Sequence, residues 1–279
     1  MASLLRYFCS IPRRGHKTAA NLNQFPQLPL EIRFTKVTMG SARNLLLLSS
    51  SRLHGHGYLE HARGQLEELF KGASVKTVLF VPYALRDHDK YTATVRDALQ
   101  PWGYTVEGLH TKPDPVDALS KAQAIFVGGG NTFVLLRTLY KLHLLEPIRE
   151  LVLREGLPYV GSSAGTNVAT RSIHTTNDMP VAYPPSFDAL ALVPFNINPH
   201  YLDPEVGSQH KGETRDERLE EFVAYHQLPV LGLREGTSVR VQGEKATLLG
   251  DRNAKLFKAD GNTEELTPHS DLSFLLRQE

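Results

Sequence analysis

The segment Gly161-Ser162-Ser163-Ala164-Gly165 is the stretch of this chain that decides its fold. This G-x-S-x-G pattern stands at the end of a short apolar run, residues 158–161, and precedes an apolar helical stretch, residues 166–169. Between a strand and a helix, such small residues keep a tight turn free of Cβ clashes and let the central hydroxyl project. The amino end of the helix then points its N–H groups at the place where an oxyanion would form. The segment therefore predicts an α/β fold with Ser163 as nucleophile, and an ordinary tight turn is the alternative.

Strands and helices alternate on both sides of this segment, from residue 44 onward. Such alternation is typical of a mostly parallel sheet with helices on both faces. The apolar runs predict strands at residues 45–48, 78–81, 105–109, 124–127 and 158–161. The helical periodicity predicts helices at residues 58–70, 91–99, 116–122, 133–140, 148–154 and 217–225. Four later runs, at residues 230–233, 238–241, 246–249 and 255–257, predict a small antiparallel C-terminal extension at one sheet edge. We expect residues 39–279 to form a single α/β domain.

The first 38 residues differ from the rest of the chain. They carry no acidic residue before Glu31, and prolines at positions 26 and 29 interrupt any helix. Before Glu31 their basic side chains are Arg6, Arg13, Arg14, His16 and Lys17. We expect residues 1–38 to be an unstructured basic leader or tail outside the fold. A cytoplasmic location is predicted, and the alternative is a mitochondrial one after removal of this segment as a transit peptide.

Composition excludes several classes of function. The 279 residues hold 31 Lys and Arg against 30 Asp and Glu, a net charge of +1, which gives no field for nucleic acid or an anionic membrane. No apolar run approaches the roughly 20 residues that span a bilayer. Cys9 is the only cysteine, so the predicted domain has no disulfide, Cys-type zinc site or thiol nucleophile. We expect a soluble protein with a small-molecule partner and an oxygen or nitrogen nucleophile.

A serine nucleophile needs a base, and His200 is the predicted one. It ends the short run Asn196-Ile197-Asn198-Pro199-His200, and strand-end loops carry catalytic groups in open α/β sheets. The closely spaced His54, His56 and His61 lack a carboxylate or cysteine companion, so no metal site is predicted there.

Two carboxylates are candidates for the acid that orients His200. Asp178 gives the chain order Ser, Asp, His of α/β hydrolases, whereas Glu235 gives the order Ser, His, Glu. Order cannot choose between them, because triads of one geometry occur in several chain orders. The Gly128-Gly129-Gly130-Asn131 turn is suited to supply a second oxyanion donor. Its alternative, a phosphate cradle, is disfavoured because the glycines do not follow the G-x-G-x-x-G spacing and no G-K-[ST] follows.

Several strings of four to seven residues resemble peptidase E, the α-aspartyl dipeptidase family, over residues 44–276. They are Val127-Gly128-Gly129-Gly130-Asn131-Thr132-Phe133, Gly161-Ser162-Ser163-Ala164-Gly165, Thr175-Thr176-Asn177-Asp178-Met179-Pro180, Ile197-Asn198-Pro199-His200 and His210-Lys211-Gly212-Glu213-Thr214-Arg215. The resemblance implies a flavodoxin-like α/β fold related to class I glutamine amidotransferases. It also implies hydrolysis of dipeptides with an N-terminal aspartate, without a metal or other cofactor.

The resemblance also implies roles for individual residues. Ser163 would be the nucleophile, His200 the base and Glu235 the orienting acid. Asp178 would be a further site carboxylate that holds the substrate ammonium or shapes the base. The oxyanion donors would be the N–H groups of Gly130 and Ala164.

The sequence also offers candidate residues for substrate contacts. His174 stands where bacterial family members carry an arginine, and Arg171 lies three residues earlier. We expect the cations to bind the substrate carboxylates, and the predicted substrate-binding set is Asn131, Arg171, His174, Lys211 and Arg215.

The leading hypothesis is a serine dipeptidase that cleaves Asp-X dipeptides through an acyl-enzyme on Ser163. One alternative is an α/β-hydrolase esterase that uses Ser163, Asp178 and His200. Another is a non-catalytic binding module on an amidotransferase-like fold. The protein is predicted to be a monomer or a homodimer.

Overall fold

The computed structural model describes residues 42–204, 207 and 211–277. The predicted leader or tail at residues 1–38 lies outside these residues. Within them, no helix combines the length and the apolar character needed to cross a membrane.

The first half of the described chain alternates strands and helices as the sequence predicts. Its elements are β1 (Asn44–Leu48), α1 (Arg63–Gly72), β2 (Thr77–Val81), α2 (His88–Leu99), β3 (Thr105–Gly108), α3 (Pro115–Ser120), β4 (Ile125–Val127), α4 (Thr132–Lys141), α5 (Leu145–Arg154), β5 (Tyr159–Ser162) and α6 (Ala164–Ala169). Helix α1 begins later than the predicted residue 58, because Leu59 adopts a left-handed φ of 62° and residues 60–62 form a 3₁₀ turn.

The second half consists mainly of strands. Its elements are β6 (Asn196–Pro199), α7 (Arg215–His226), β7 (Val230–Leu233), β8 (Ser238–Gln242), β9 (Lys245–Leu249), β10 (Ala254–Phe257) and β11 (Thr263–Leu266). Helix α7 begins at a capping box, in which the Thr214 hydroxyl and the Glu217 carboxylate satisfy each other's backbone N–H groups.

The main sheet has seven strands in the order β3-β2-β4-β5-β1-β8-β9. The five strands from β3 to β1 are parallel, and β8 and β9 add an antiparallel edge beside β1. Side chains alternate between the two faces of a strand, so Leu46 and Leu48 pack towards α1 and α2, whereas Leu45 and Leu47 face the core that includes α4, α5 and α6. The predicted mostly parallel sheet with helices on both faces is confirmed.

Only two of the four predicted C-terminal strands form the predicted antiparallel extension. Strands β8 and β9 do extend the main sheet, but β7 and β10 belong to a second sheet of order β11-β10-β7-β6. Within it β6 and β7 are parallel, and β10 runs antiparallel to β7. The carboxyl ends of β6 and β7 carry His200 and Glu235, so this second sheet contributes directly to the site.

Candidate active site

Ser163 lies on the turn between β5 and α6 in a strained backbone conformation, with φ 54° and ψ −109°. A non-glycine residue in such a region costs about 1–3 kcal/mol, which the surrounding structure must supply. The flanking glycines are required by close backbone contacts. A Cβ on Gly165 would lie 2.0 Å from the Val127 carbonyl oxygen, and one on Gly161 would lie 2.6 Å from the Gly165 carbonyl oxygen. The G-x-S-x-G spacing is thus the local requirement of this turn.

A hydrogen-bonded relay connects the serine to a histidine and a glutamate. The Oγ of Ser163 lies 2.9 Å from Nε2 of His200, and Nδ1 of His200 lies 2.7 Å from Oε1 of Glu235. When the glutamate accepts the Nδ1 proton, Nε2 is left free to accept the serine proton. The arrangement is that of a nucleophile, a general base and an orienting acid.

The base and acid come from neighbouring strand ends. His200 follows β6 and Glu235 follows β7, and these two strands are parallel partners in the second sheet. The backbone N–H of His200 donates to Oγ of Ser49, at the end of β1, over 3.0 Å. That contact ties the histidine to the main sheet, which carries the nucleophile.

Asp178 contacts helix α4 and not the histidine. Its Oδ2 accepts from the N–H and the hydroxyl of Thr132, both at 2.7 Å, and from the hydroxyl of Thr176 at 3.2 Å. The carboxylate therefore holds the first turn of α4, directly after the glycine-rich turn. Of the two carboxylates that the sequence left open, Glu235 is the one hydrogen-bonded to His200.

The glycine-rich turn lies against the serine. A Cβ on Gly129 would lie 3.0 Å from the Ser163 Cβ, and one on Gly130 would lie 2.5 Å from the Ala84 carbonyl oxygen. Gly130 itself has a φ of 131°, which side-chain-bearing residues rarely adopt. In the described part of the chain, the N–H groups of Gly130 and Ala164 donate to no backbone carbonyl. Ala164 directly follows Ser163 in the chain, and Gly130 lines the same cavity as Ser163.

A cavity of about 790 Å³ opens beside the relay. Ser163, His200, Glu235, Gly129 and Gly130 line it at the relay. The rest of its lining comes from the segments that follow β1 and β2 and includes Arg52, Tyr58, Arg86, Asp87, Lys90 and Tyr91.

The five predicted substrate-binding residues are not among those that line this cavity. Asn131 uses its Oδ1 to cap α4 and its Nδ2 to bind the Met179 carbonyl. The ring of His174 packs against Phe187 and His226, and burial lowers its pKa.

The three predicted cations lie in other places. The backbone carbonyl of Arg171 accepts from Ala189, Lys211 is exposed, and Arg215 is half-buried at the first residue of α7. Burial lowers the pKa of the Arg215 guanidinium. Within residues 42–204 and 211–277, no group of three or more metal-ligating side chains is placed to hold a metal ion.

Residues 45–249 match the family described as peptidase family S51. The chain belongs to peptidase family S51. A probable alpha-aspartyl dipeptidase from Drosophila melanogaster is 88% identical over 240 residues, which cover 86% of this chain and 100% of that relative. Peptidase E from Streptomyces coelicolor is 55% identical over 84% of this chain and 95% of its own length. The predicted family and the prediction of a peptidase are confirmed.

Two solved structures share the fold of this S51 peptidase. A peptidase from an acI-B1 actinobacterium has a TM-score of 0.64 at 18% identity and covers 84% of this chain and 98% of its own. A putative peptidase E protein from Listeria monocytogenes has a TM-score of 0.57 at 24% identity, with coverages of 75% and 98%. These similarities confirm the predicted α/β fold with a mostly parallel sheet and helices on both faces.

Sequence reasoning missed two side chains that support the site of this S51 peptidase. Tyr91 of α2 packs against the glycine-rich turn, because a Cβ on Gly128 would be 2.6 Å from the Tyr91 hydroxyl. Burial raises the pKa of this hydroxyl far above its usual range. Arg234 binds Asp203, three residues after His200, with Nε to Oδ2 at 2.8 Å. It also binds Glu265 and therefore fixes the segment that carries Glu235. Arg234 could have been identified in the sequence as the charged residue directly before Glu235.

Proposed function

We propose that this S51 peptidase is an α-aspartyl dipeptidase that releases N-terminal aspartate from Asp-X dipeptides. The observation that carries the proposal is the relay from Ser163 through His200 to Glu235, with its 2.9 and 2.7 Å contacts. The substrate class is supported by the 88% identity to a relative named a probable alpha-aspartyl dipeptidase.

Acylation begins when Oγ of Ser163 attacks the carbonyl carbon of the Asp-X peptide bond. The hydroxyl proton moves to Nε2 of His200, and the imidazolium is stabilised by the Glu235 carboxylate. The carbonyl oxygen becomes an oxyanion, which the N–H groups of Gly130 and Ala164 stabilise. The C–N bond then breaks, His200 returns its proton to the leaving amine, and the aspartyl group remains as an ester on the serine.

Deacylation repeats these steps with water as nucleophile. His200 removes a proton from water, and the resulting hydroxide attacks the aspartyl ester carbon. The ester C–O bond breaks, Ser163 regains the proton from His200, and free aspartate leaves. No step needs a metal ion or a redox partner.

Asp178 acts in this proposal through the oxyanion turn. Its contact with Thr132, two residues after Gly130, supports the position of the Gly130 N–H. An esterase triad of Ser163, Asp178 and His200 is disfavoured by this geometry, because the carboxylate is occupied at the start of α4. A pure binding module would not require the relay.

The remaining parts of the proposal concern the setting of the reaction. The partner is a dipeptide, and the chain works as a monomer or a homodimer in the cytoplasm. Residues 39–279 form the catalytic domain, and residues 1–38 are a leader or tail. Fusion of residues 1–38 to a fluorescent reporter tests whether they direct it to mitochondria.

The decisive experiment compares release of aspartate from Asp-Leu with release of alanine from Ala-Leu. We expect hydrolysis of Asp-Leu alone, and a loss of about 10³-fold or more in kcat for Ser163→Ala. Ser162→Ala is the matched control, because this neighbouring serine is fully buried in β5 and its Oγ has no hydrogen-bond partner among the described residues. Failure of the wild-type protein to release aspartate between about pH 6 and pH 9 would falsify the proposal.

A further inference from the structure

Three cationic side chains line the cavity beside the relay. Arg52 follows β1, Arg86 lies two residues before α2, and Lys90 is in the first turn of α2. All three residues are exposed. Over the described part of the chain, none of them has a carboxylate partner within salt-bridge distance.

The two carboxylates that line the same cavity are already engaged. Asp87 caps α2 by accepting from the Lys90 N–H at 2.9 Å, and Glu235 binds His200. The cavity wall therefore carries three cationic against two anionic side chains, and none of these cations is paired with a carboxylate among the described residues. A cavity with this excess of cations attracts an anionic ligand group, and guanidinium and ammonium groups bind carboxylates well.

These cations lie in α2 or in the segments that lead into α1 and α2, and both helices pack on one face of the main sheet. Asp178 is bound to α4, on the opposite face. The two carboxylates of an Asp-X dipeptide also lie on opposite sides of the scissile bond, the β-carboxylate on the acyl side and the α-carboxylate on the leaving side.

The leaving side can be assigned from the base. His200 must deliver its proton to the leaving amine, so the second residue of the substrate has to lie in the cavity that His200 lines. The segment of Arg52 is in contact with this histidine, since Ser49 accepts the His200 N–H at 3.0 Å.

We propose that Arg52, Arg86 and Lys90 form a subsite for the free α-carboxylate of the second residue of the dipeptide. This inference rests on the proposed dipeptidase function and deepens it. Every Asp-X dipeptide carries this carboxylate whatever X is, so the subsite binds the leaving residue without selecting its side chain. A longer peptide places a neutral amide there and loses the charge pairing, which limits the enzyme to dipeptides.

The test compares Asp-Leu with Asp-Leu-amide, in which the terminal carboxylate is replaced by a neutral group of similar size. The wild-type enzyme is expected to prefer the free acid by about 10- to 100-fold in kcat/KM, mainly through KM. In Arg86→Gln, Lys90→Gln and their double variant, this acid-to-amide ratio falls towards one. Lys90→Arg restores the ratio. Lys141→Gln is the matched control, because this lysine is exposed at the end of α4 and does not line the cavity.

The outcomes separate this inference from the proposed function. If the wild-type enzyme hydrolyses neither substrate, the dipeptidase proposal fails. If it hydrolyses both equally well, or if the double variant keeps the wild-type ratio, the subsite is wrong and the dipeptidase function stands. A third arm uses Asn-Leu, which lacks the β-carboxylate. Loss of the preference for Asp-Leu over Asn-Leu in the double variant, with the acid-to-amide ratio unchanged, would assign these cations to the aspartyl side chain and overturn the inference.

Discussion

Arg234→Gln should weaken both the fold and the reaction, because Arg234 connects the segments that carry the base and the acid. Its Nε lies 2.8 Å from Oδ2 of Asp203, and its Nη2 lies 2.8 Å from Oε1 of Glu265. Its Nη1 also donates to the carbonyl of Asn253 at 2.9 Å. Glutamine can replace at most part of one of these interactions and carries no charge.

The expected loss can be estimated from the exposure of the partners. The side chains of Asp203 and Glu265 are 56% and 48% exposed, so each ion pair is worth about 0.5–1 kcal/mol rather than the value of a buried pair. The hydrogen bond to Asn253 adds about 1 kcal/mol, because the Arg234 side chain is only 14% exposed. The sum predicts a decrease of about 2–3 kcal/mol in the free energy of unfolding. Displacement of Glu235 should lower kcat by about 10-fold, with a smaller change in KM.

Urea denaturation at several pH values measures this loss. The Arg234 guanidinium holds the pKa of the Asp203 carboxyl below its usual range, so the pair stabilises the fold above the pKa of Asp203 in the unfolded chain. This stabilisation is lost as the pH falls through the folded-state pKa. The difference between wild type and variant should be largest near pH 7 and shrink below about pH 4. Arg252→Gln, on an exposed turn nearby, is the control for loss of charge. A difference under about 0.5 kcal/mol, or one independent of pH, would refute the reasoning.

Three other variants test the site and its turn. Glu235→Gln should lower kcat by about 10²- to 10⁴-fold and alter the acid limb of the pH–rate profile, because an amide favours the wrong tautomer of His200. Asp178→Asn should lower the free energy of unfolding, measured in urea, by about 1 kcal/mol. It should also lower kcat without moving the acid limb of the pH–rate profile. A shift of that limb would contradict the assignment of Asp178 to α4. Gly165→Ala should abolish soluble expression or cost at least about 3 kcal/mol, since its Cβ would lie 2.0 Å from a carbonyl oxygen of β4. Gly64→Ala, at an open helical position, should instead stabilise the protein by about 0.5 kcal/mol.

The central strands of the main sheet, β1, β2, β4 and β5, could be predicted from the sequence because they are buried on both faces. Such strands are continuous apolar runs, and glycine or proline ends them, so local pattern is enough to place them. Strand β11 has no such signal, because three of its four residues, Thr263, Glu264 and Glu265, are exposed and polar. The pairing of β7 with β6 and β10 is a long-range choice, and periodicity predicts a strand without predicting its partner.

The site was predictable where its chemistry depends on local backbone. Ser163 could be found because the turn itself requires glycines at positions 161 and 165. The orienting acid could not be chosen from the residues alone, because chain order allows either Asp178 or Glu235. Only the packing of the chain decides which carboxylate reaches the His200 ring. The cations that line the cavity follow β1 and β2. Functional groups in open α/β sheets lie at the carboxyl ends of strands, so the same rule that indicated His200 could have indicated these cations. The predicted substrate-binding set instead consists of Asn131 and of cationic and histidine side chains between residues 171 and 215.

Ser163 follows a strand of one sheet, whereas His200 and Glu235 follow strands of the other. The 2.9 Å contact between Ser163 and His200 therefore depends on how the two sheets pack against each other. Ser49 is the direct connection between them. Its buried hydroxyl donates to the Leu233 carbonyl at the end of β7 over 2.8 Å and accepts from the His200 N–H at 3.0 Å. One side chain at the end of β1 therefore binds the ends of both strands that carry the base and the acid. Since a shift of about 1 Å in a catalytic group can cost about 10²-fold in rate, this sheet-to-sheet contact constrains catalysis in addition to the side chains of the relay.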